Sequence, residues 1–346
     1  MGNRTMIELK SDELVFTFPE VHPQAKLSIS FQRTLRIPDD DKTYPLPPGL
    51  GKFPLRHVDD FAQNVPVKWL KRGGVLLPMY QSEAMWLNFE SSTIDDHWVE
   101  YPFAVKIAAG KKCAISGLEW QDGLRGDPQD YMIVPEQPWL DGFAVEKGVI
   151  RQFVAMPLGS GYSAEEQITG NAEHGGLQIA VYPMKRDVFE RRFPKRPGDE
   201  RACSMLMEDC CFAAAPDMGL APGGRMRQEI FEDPYDRKDW QDTKSSRCFI
   251  HLCNSMVWQS ITGSAPPHPT PTAKSYTQAG LPWFDYYDDS QAALKGSSIL
   301  AKLKSVAQKS FAKGEVVLPE NESVTPDNVI EFRKGLKREQ VREGQF

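Results

Sequence analysis

Alternation of apolar and polar residues at period two is the feature that most narrows what this chain can fold into. In Leu27-Ser28-Ile29-Ser30-Phe31-Gln32 every second side chain is apolar, and Leu35 and Ile37 resume the set after a break near Thr34. Successive side chains of an extended strand point to opposite faces, so the pattern builds a half-buried strand and the break marks a bulge. The same signal governs Phe103 to Met184. Ala104 to Ile107 and Cys113 to Ser116 flank Gly110-Lys111, while Gly142 to Val145 and Val149 to Val154 flank Glu146-Lys147-Gly148. Gly148 supplies the left-handed residue that a three-residue hairpin loop needs. Glu166 to Thr169 and Leu177 to Tyr182 flank a glycine-rich turn as a third pair. Three successive hairpins predict an antiparallel meander of the kind found in sandwiches and barrels.

Shorter signals fill in the rest. Leu14 to Phe18 and Ala84 to Phe89 read as strands, and Asp39 to Pro54 reads as a Pro- and Gly-rich loop. Lys185 to Arg201 carries seven Lys or Arg among four acids and is expected to be an exposed basic loop. Ala213 to Gly224, rich in Ala, Gly and Pro, is expected to be another loop. Arg225 to Phe231 and Arg247 to Leu252 suit a further hairpin, the latter running into Met256-Val257-Trp258, where a helix fits nearly as well.

From Pro266 the periodicity changes. Thr272 opens a short helical pattern that Gly280-Leu281-Pro282 ends. Leu300, Leu303, Val306, Ala307 and Phe311 recur at three- and four-residue steps, one apolar stripe on a helix that Gly314 stops. Thr325-Pro326 then has the form of a cap and first turn for a last helix bearing Val329, Ile330, Phe332 and Leu336. The expected fold class is therefore a β-rich α+β protein. An antiparallel β-sandwich or barrel-like body spans residues 1–265, and a helical C-terminal tail over 266–346 packs on the body or on a neighbouring subunit.

A chain of 346 residues, 40% hydrophobic and 25% charged, can bury a sizeable core. The net charge of −6 speaks against nucleic acid as the main partner, because phosphate binding draws on clustered Lys and Arg. Residues 291–346 hold ten basic and seven acidic side chains, so the tail is about +3 and the remainder about −9. No run approaches 18 apolar residues and no apolar segment follows the N-terminus, so neither a membrane span nor a secretory signal is expected and cytoplasm is the default. Cys113, Cys203, Cys210, Cys211, Cys248 and Cys253 contain no CxxC pair, as reduced buried thiols would.

The chemistry-bearing patterns are weak. Gly159-Ser160-Gly161-Tyr162-Ser163-Ala164 matches GxGxxA, but Gly170 interrupts before a long helix can follow and no acid lies at the distance a dinucleotide site requires. Cys248, His251 and Cys253 lie close together, but on a strand Cys248 and His251 face opposite ways. His57 with Asp59 and Asp60, and Asp95-Asp96 with His97, are the other metal-type groupings, and no metal or cofactor is expected from any of the three. Trp120-Gln121-Asp122-Gly123 and Trp139-Leu140-Asp141-Gly142 each place a Trp beside a carboxylate, which suits stacking on a sugar ring or an aromatic partner. Trp120, Trp139 and Trp283 are thus the candidate ligand or partner contacts, with Trp283 also suited to anchoring the tail. Asp122, Glu136 and Asp141 are the carboxylates to inspect for catalysis. The absence of a nucleophile signature favours a non-catalytic binding or self-assembling protein, with a homo-oligomer as the expected partner state. The alternative is a sandwich or barrel enzyme acting on a carbohydrate or a small polar metabolite.

Overall fold

A computed structural model describes residues 7–40, 42–195, 217–287, 291–315 and 322–333. Its strands include β1 (Glu13–Thr17), β2 (Lys26–Thr34), β3 (Val75–Met79), β4 (Ala84–Ser91), β5 (Phe103–Ala109), β6 (Met132–Val134), β7 (Trp139–Leu140), β8 (Gly142–Glu146) and β9 (Val149–Pro157). They continue with β10 (Leu177–Pro183), β11 (Asp217–Arg227), β12 (Ser246–Asn254), β13 (Trp283–Tyr287) and β14 (Val329–Arg333). The helices are short: α1 (Val67–Arg72), α2 (Ala164–Thr169), α3 (Arg186–Arg192), α4 (Ser255–Thr262), α5 (Ala273–Gln278) and α6 (Val306–Lys313). The protein is β-rich α+β, with one large sheet dominated by antiparallel pairing.

The ladder runs β1–β2–β4–β9–β11, then passes through β12 to β10, β5 and β6. Phe18, just past β1, lies 5.7 Å from Phe103 at the start of β5, so the two arms of the ladder meet across a shared core. That core takes Leu14 and Phe16 from β1, Leu27, Ile29 and Phe31 from β2, and Ile179 and Val181 from β10. Burying each such side chain contributes about 1.5–3 kcal/mol. The second hairpin forms as expected between β8 and β9, with Gly148 at φ +72° in its turn. Gly142 begins β8 because a Cβ there would lie 2.0 Å from the Arg151 carbonyl oxygen.

Several expectations are corrected. Glu166 to Thr169 belongs to α2, so the third hairpin does not exist, and Leu177–Pro183 pairs instead with β5 and β12. Residues 217–224 are strand, not loop. Their glycines reflect close packing: a Cβ on Gly224 would lie 2.5 Å from the Pro38 oxygen, and one on Gly223 2.5 Å from Val154. β11 and β12 pair at Asp217–Met218 with Leu252–Cys253, the opposite end from the one the spacing suggests. The basic segment contains α3, whose Val188 and Phe189 are buried; residues 196–201 lie outside the described residues. In the tail the stripe breaks at Leu303, which is extended between a 3-10 turn at Leu300–Lys302 and α6, and Phe311 faces outward. Residues 329–333 form β14, parallel to β13, where a helix was expected. The β-branched Val329 and Ile330 suit a strand once a pairing edge is available.

The described tail is fastened to the body of its own chain. Trp283, Leu300 and Leu303 belong to the same buried cluster as Phe16 and Phe103. Asp39 is the main fastener: one carboxylate oxygen accepts the Ala307 N–H at 2.9 Å at the start of α6, and the other meets Arg151 at 3.3 Å. Arg151 also donates to the Gly223 carbonyl at 3.0 Å. Replacing Asp39 by Ala takes an ion-pair partner from the buried Arg151 and the acceptor from the Ala307 N–H, and is expected to cost about 3–5 kcal/mol. Urea unfolding should show that loss, and limited proteolysis should show new cleavage around 305–315; an unchanged profile would exclude Asp39 as the anchor.

Candidate functional site

Three of the sequence candidates, Asp122, Trp120 and Trp283, are committed to other contacts. Asp122 is exposed and pairs with Arg247 at 2.6 Å on the surface. Trp120 is half-buried with the Lys106 ammonium 5.2 Å from its ring centre. That ammonium is itself buried, bonded to Asp130 at 2.6 Å and to the carbonyls of Gln121 and Gly123 at 2.8 and 2.9 Å. Trp120 therefore covers an internal ion pair that shapes the 117–130 loop. Trp283 is fully buried between Tyr44 and Tyr276, with its indole N–H donated to Thr277 at 3.2 Å.

The metal-type groupings also disperse. His251 is sandwiched between Trp69 and Phe249, its Nε2 facing the Gly73 carbonyl at 3.0 Å, and burial pushes its pKa down to about 3. Burial raises the Cys253 thiol well above its ordinary value, so it stays protonated. Asp95, Asp96 and His97 turn to Gln24, Lys195 and the Phe193 carbonyl respectively. His57 and Asp60 line an open depression with Asp12, whose carboxylate is engaged by Arg56 and the Leu55 N–H. Among the described residues no three His, Cys, Asp or Glu side chains could hold a metal ion. At the glycine-rich turn, the Glu166 carboxylate takes the Gly161 N–H at 2.6 Å and the Ser163 N–H at 3.1 Å. The amides that a phosphate would need are thus filled by the protein's own anion.

A second, smaller recess lies beside Trp139, with room for about one water molecule. Gln137, Trp139, Gln228, Glu229, Phe231 and Leu46 are among the residues that line it. Gln137 links Trp139 to Phe231, donating to the Trp139 carbonyl at 3.2 Å and accepting the Phe231 N–H at 3.3 Å. Gln228 repeats the motif: its amide donates to the Trp139 carbonyl at 3.2 Å and accepts the Asp141 N–H at 3.1 Å. Arg227, also on the wall, is drawn away to Asp285 at 2.6 Å.

Two of the candidate carboxylates lie next to this wall in the chain, Glu136 before Gln137 and Asp141 two residues after Trp139. Asp141 sits behind Trp139 and Gln228, 3% exposed, and one of its carboxyl oxygens has no hydrogen-bond partner. Glu136 accepts from Tyr235 at 3.0 Å through one oxygen while the other is buried and unpartnered. Burial pushes the Asp141 pKa up to about 7, against the opposing pull of hydrogen bonds from the Trp139 and Gln228 side chains. Gln137 and Gln228 were invisible in the sequence, since a lone Gln in a strand or turn carries no chemical pattern; only the fold sets them around Trp139. No family model, curated protein or solved structure matches the chain.

The Asp141 shift fixes a pH dependence. The folded state holds this proton more tightly than the unfolded chain, where Asp titrates near its ordinary value of 3.8. Between about pH 4 and pH 7 the unfolded state therefore binds fewer protons, and stability falls as pH rises through that window. Asp141→Asn removes the titration while keeping the shape. Wild type should lose on the order of a few kcal/mol between about pH 5 and pH 8 relative to the Asn variant. Parallel thermal unfolding curves at both pH values for the two proteins would show Asp141 to be silent.

Proposed function

We propose that this is a non-catalytic binding protein of the cytoplasm that takes a small polar ligand at the wall beside Trp139, where the recess must widen to admit more than a water. The observation that carries it is the pair of buried carboxyl oxygens without a partner, on Glu136, which precedes Gln137, and on Asp141, whose N–H is held by Gln228. An unsatisfied buried oxygen costs about 1–3 kcal/mol, so a ligand that donates hydrogen bonds there gains what the protein alone forgoes. Trp139, Phe231 and Leu46 supply the apolar surface, and Gln137 and Gln228 the orienting amides. The catalytic alternative finds less support, because Asp122 is paired with Arg247 at the surface while Asp141 is enclosed. Titration calorimetry with a panel of small amines and polyols should reveal a binder whose affinity falls at least tenfold in Trp139→Ala. Heat from no member of the panel, or binding untouched by that substitution, would remove the recess from consideration.

Self-association is the second function with an observation behind it. Met256 on α4 and Phe311 on α6 are each 83% exposed, on helices whose other faces bury Trp258 and Val306. Large apolar side chains left in water favour contact with a second copy. Light scattering at micromolar concentration should then report more than one chain per particle, reverting to one chain in Phe311→Glu or Met256→Glu. A monomer at all concentrations refutes self-association.

A further inference from the structure

The segment that joins α4 to α5 has a conformation dictated residue by residue. It runs Ala265-Pro266-Pro267-His268-Pro269-Thr270-Pro271, so every member is a proline or precedes one. Each proline ring fixes φ near about −65°, and the residue before a proline is driven from the helical region into extended backbone. Together the two restrictions leave polyproline II, a left-handed helix of about three residues per turn with no internal hydrogen bonds. Thr272, where the segment meets α5, still has φ −77° and ψ 154°.

The burial pattern has the same period. Ala265, His268 and Pro271 are exposed, whereas Pro267 and Thr270 are half-buried and Ala273, one step further, is buried. On the third ridge Pro269 is exposed between the half-buried Pro266 and Thr272. A three-sided rod therefore rests on the body along one ridge and shows the other two to solvent. Among the described residues one hydrogen bond holds it, from the Arg33 guanidinium to the His268 carbonyl at 2.6 Å. Arg33 is itself fixed by the buried Glu83, its Nε donating at 2.9 Å. Among the described residues the other carbonyls of the segment accept no backbone hydrogen bond.

We propose that residues 265–271 are a docking strip for another protein, a domain whose aromatic-lined groove reads polyproline II. Such grooves take proline rings at the spacing of Pro266 and Pro269 and donate hydrogen bonds to free carbonyls. The rod is already formed, so little chain entropy is lost when it is bound. Pro269 and Pro271, on the two outward ridges, enter the groove, and Pro267 stays against the body. The strip shares no residue with the wall beside Trp139.

The test is a titration of the full chain into a panel of purified, isotope-labelled SH3 and WW domains, followed by NMR. At least one domain should bind with its shifts centred on the aromatic groove, and decaproline in excess should displace the chain. Pro269→Ala and Pro271→Ala should each weaken that complex about tenfold, whereas Pro267→Ala should change it by about twofold or less. Binding by no member of either class overturns the docking strip. So does a complex that decaproline leaves intact, or one that both outward substitutions leave unchanged. Displacement by decaproline is read on the wild type, so the strip stays open to refutation even where a variant does not fold.

Discussion

Burial of the central strands on both faces, under cover that is partly irregular chain, is the constraint on which the rest of the structure depends. β5 and β10 are buried at every residue, on both faces. Loops can cover a sheet only where their own N–H and C=O groups find partners, since a buried unpaired backbone group costs about as much as a lost hydrogen bond. Here buried polar side chains supply those partners. Lys106 gathers the carbonyls of Gln121 and Gly123, Gln152 clasps the N–H of Ile37 and the carbonyl of Leu35, and Gln129 reaches the carbonyls of Tyr131 and Phe231. Glu165 accepts the N–H groups of Glu173, His174 and Gly175 in one carboxylate. Among the described residues, the buried charges of Lys106 and Glu165 are thus architectural.

That reassigns the aromatic and acidic residues that stand out in the sequence. Trp120 and Trp283 are conspicuous because of the surface they bury, and both are consumed in holding loop or tail against sheet. Trp139 differs, because the chain turns there from β7, paired with β4, into β8, paired with β9. At that change of partner two glutamine side chains, Gln137 and Gln228, both donate to the Trp139 carbonyl.

How much of this was legible depended on whether a signal was local. Strands with strict alternation, such as Leu27 to Gln32, and turns fixed by one glycine, such as Gly148, fell where period and turn chemistry put them. Residues 217–224 misled because glycine marks both flexible turns and places where two backbones nearly touch, and sequence does not separate the two. Glu166 to Thr169 misled for another reason: a run of four residues is too short for its period to be read, and the capping box from Ser163 to Glu166 decides for helix. Residues 329–333 became a strand because β13 offers them an edge, a long-range partner that no window of sequence contains. Of the site, Trp139 and Asp141 could be named from their proximity in the chain. Their isolation from Asp122, and their pairing with Gln228, belong to tertiary structure alone.

The membership of Trp283, Leu300 and Leu303 in the central apolar cluster has a consequence for how the chain is made. A ribosome will have delivered all the large sheet's strands while the side chains that seal one flank of their interior are still inside the exit tunnel. During that interval the nascent protein carries an open seam, and its earliest compact form is an unfinished one. Late synthesis of a sealing segment makes the completed fold a product of the whole chain, and exposes the growing polypeptide to chaperone capture at one particular stage of elongation.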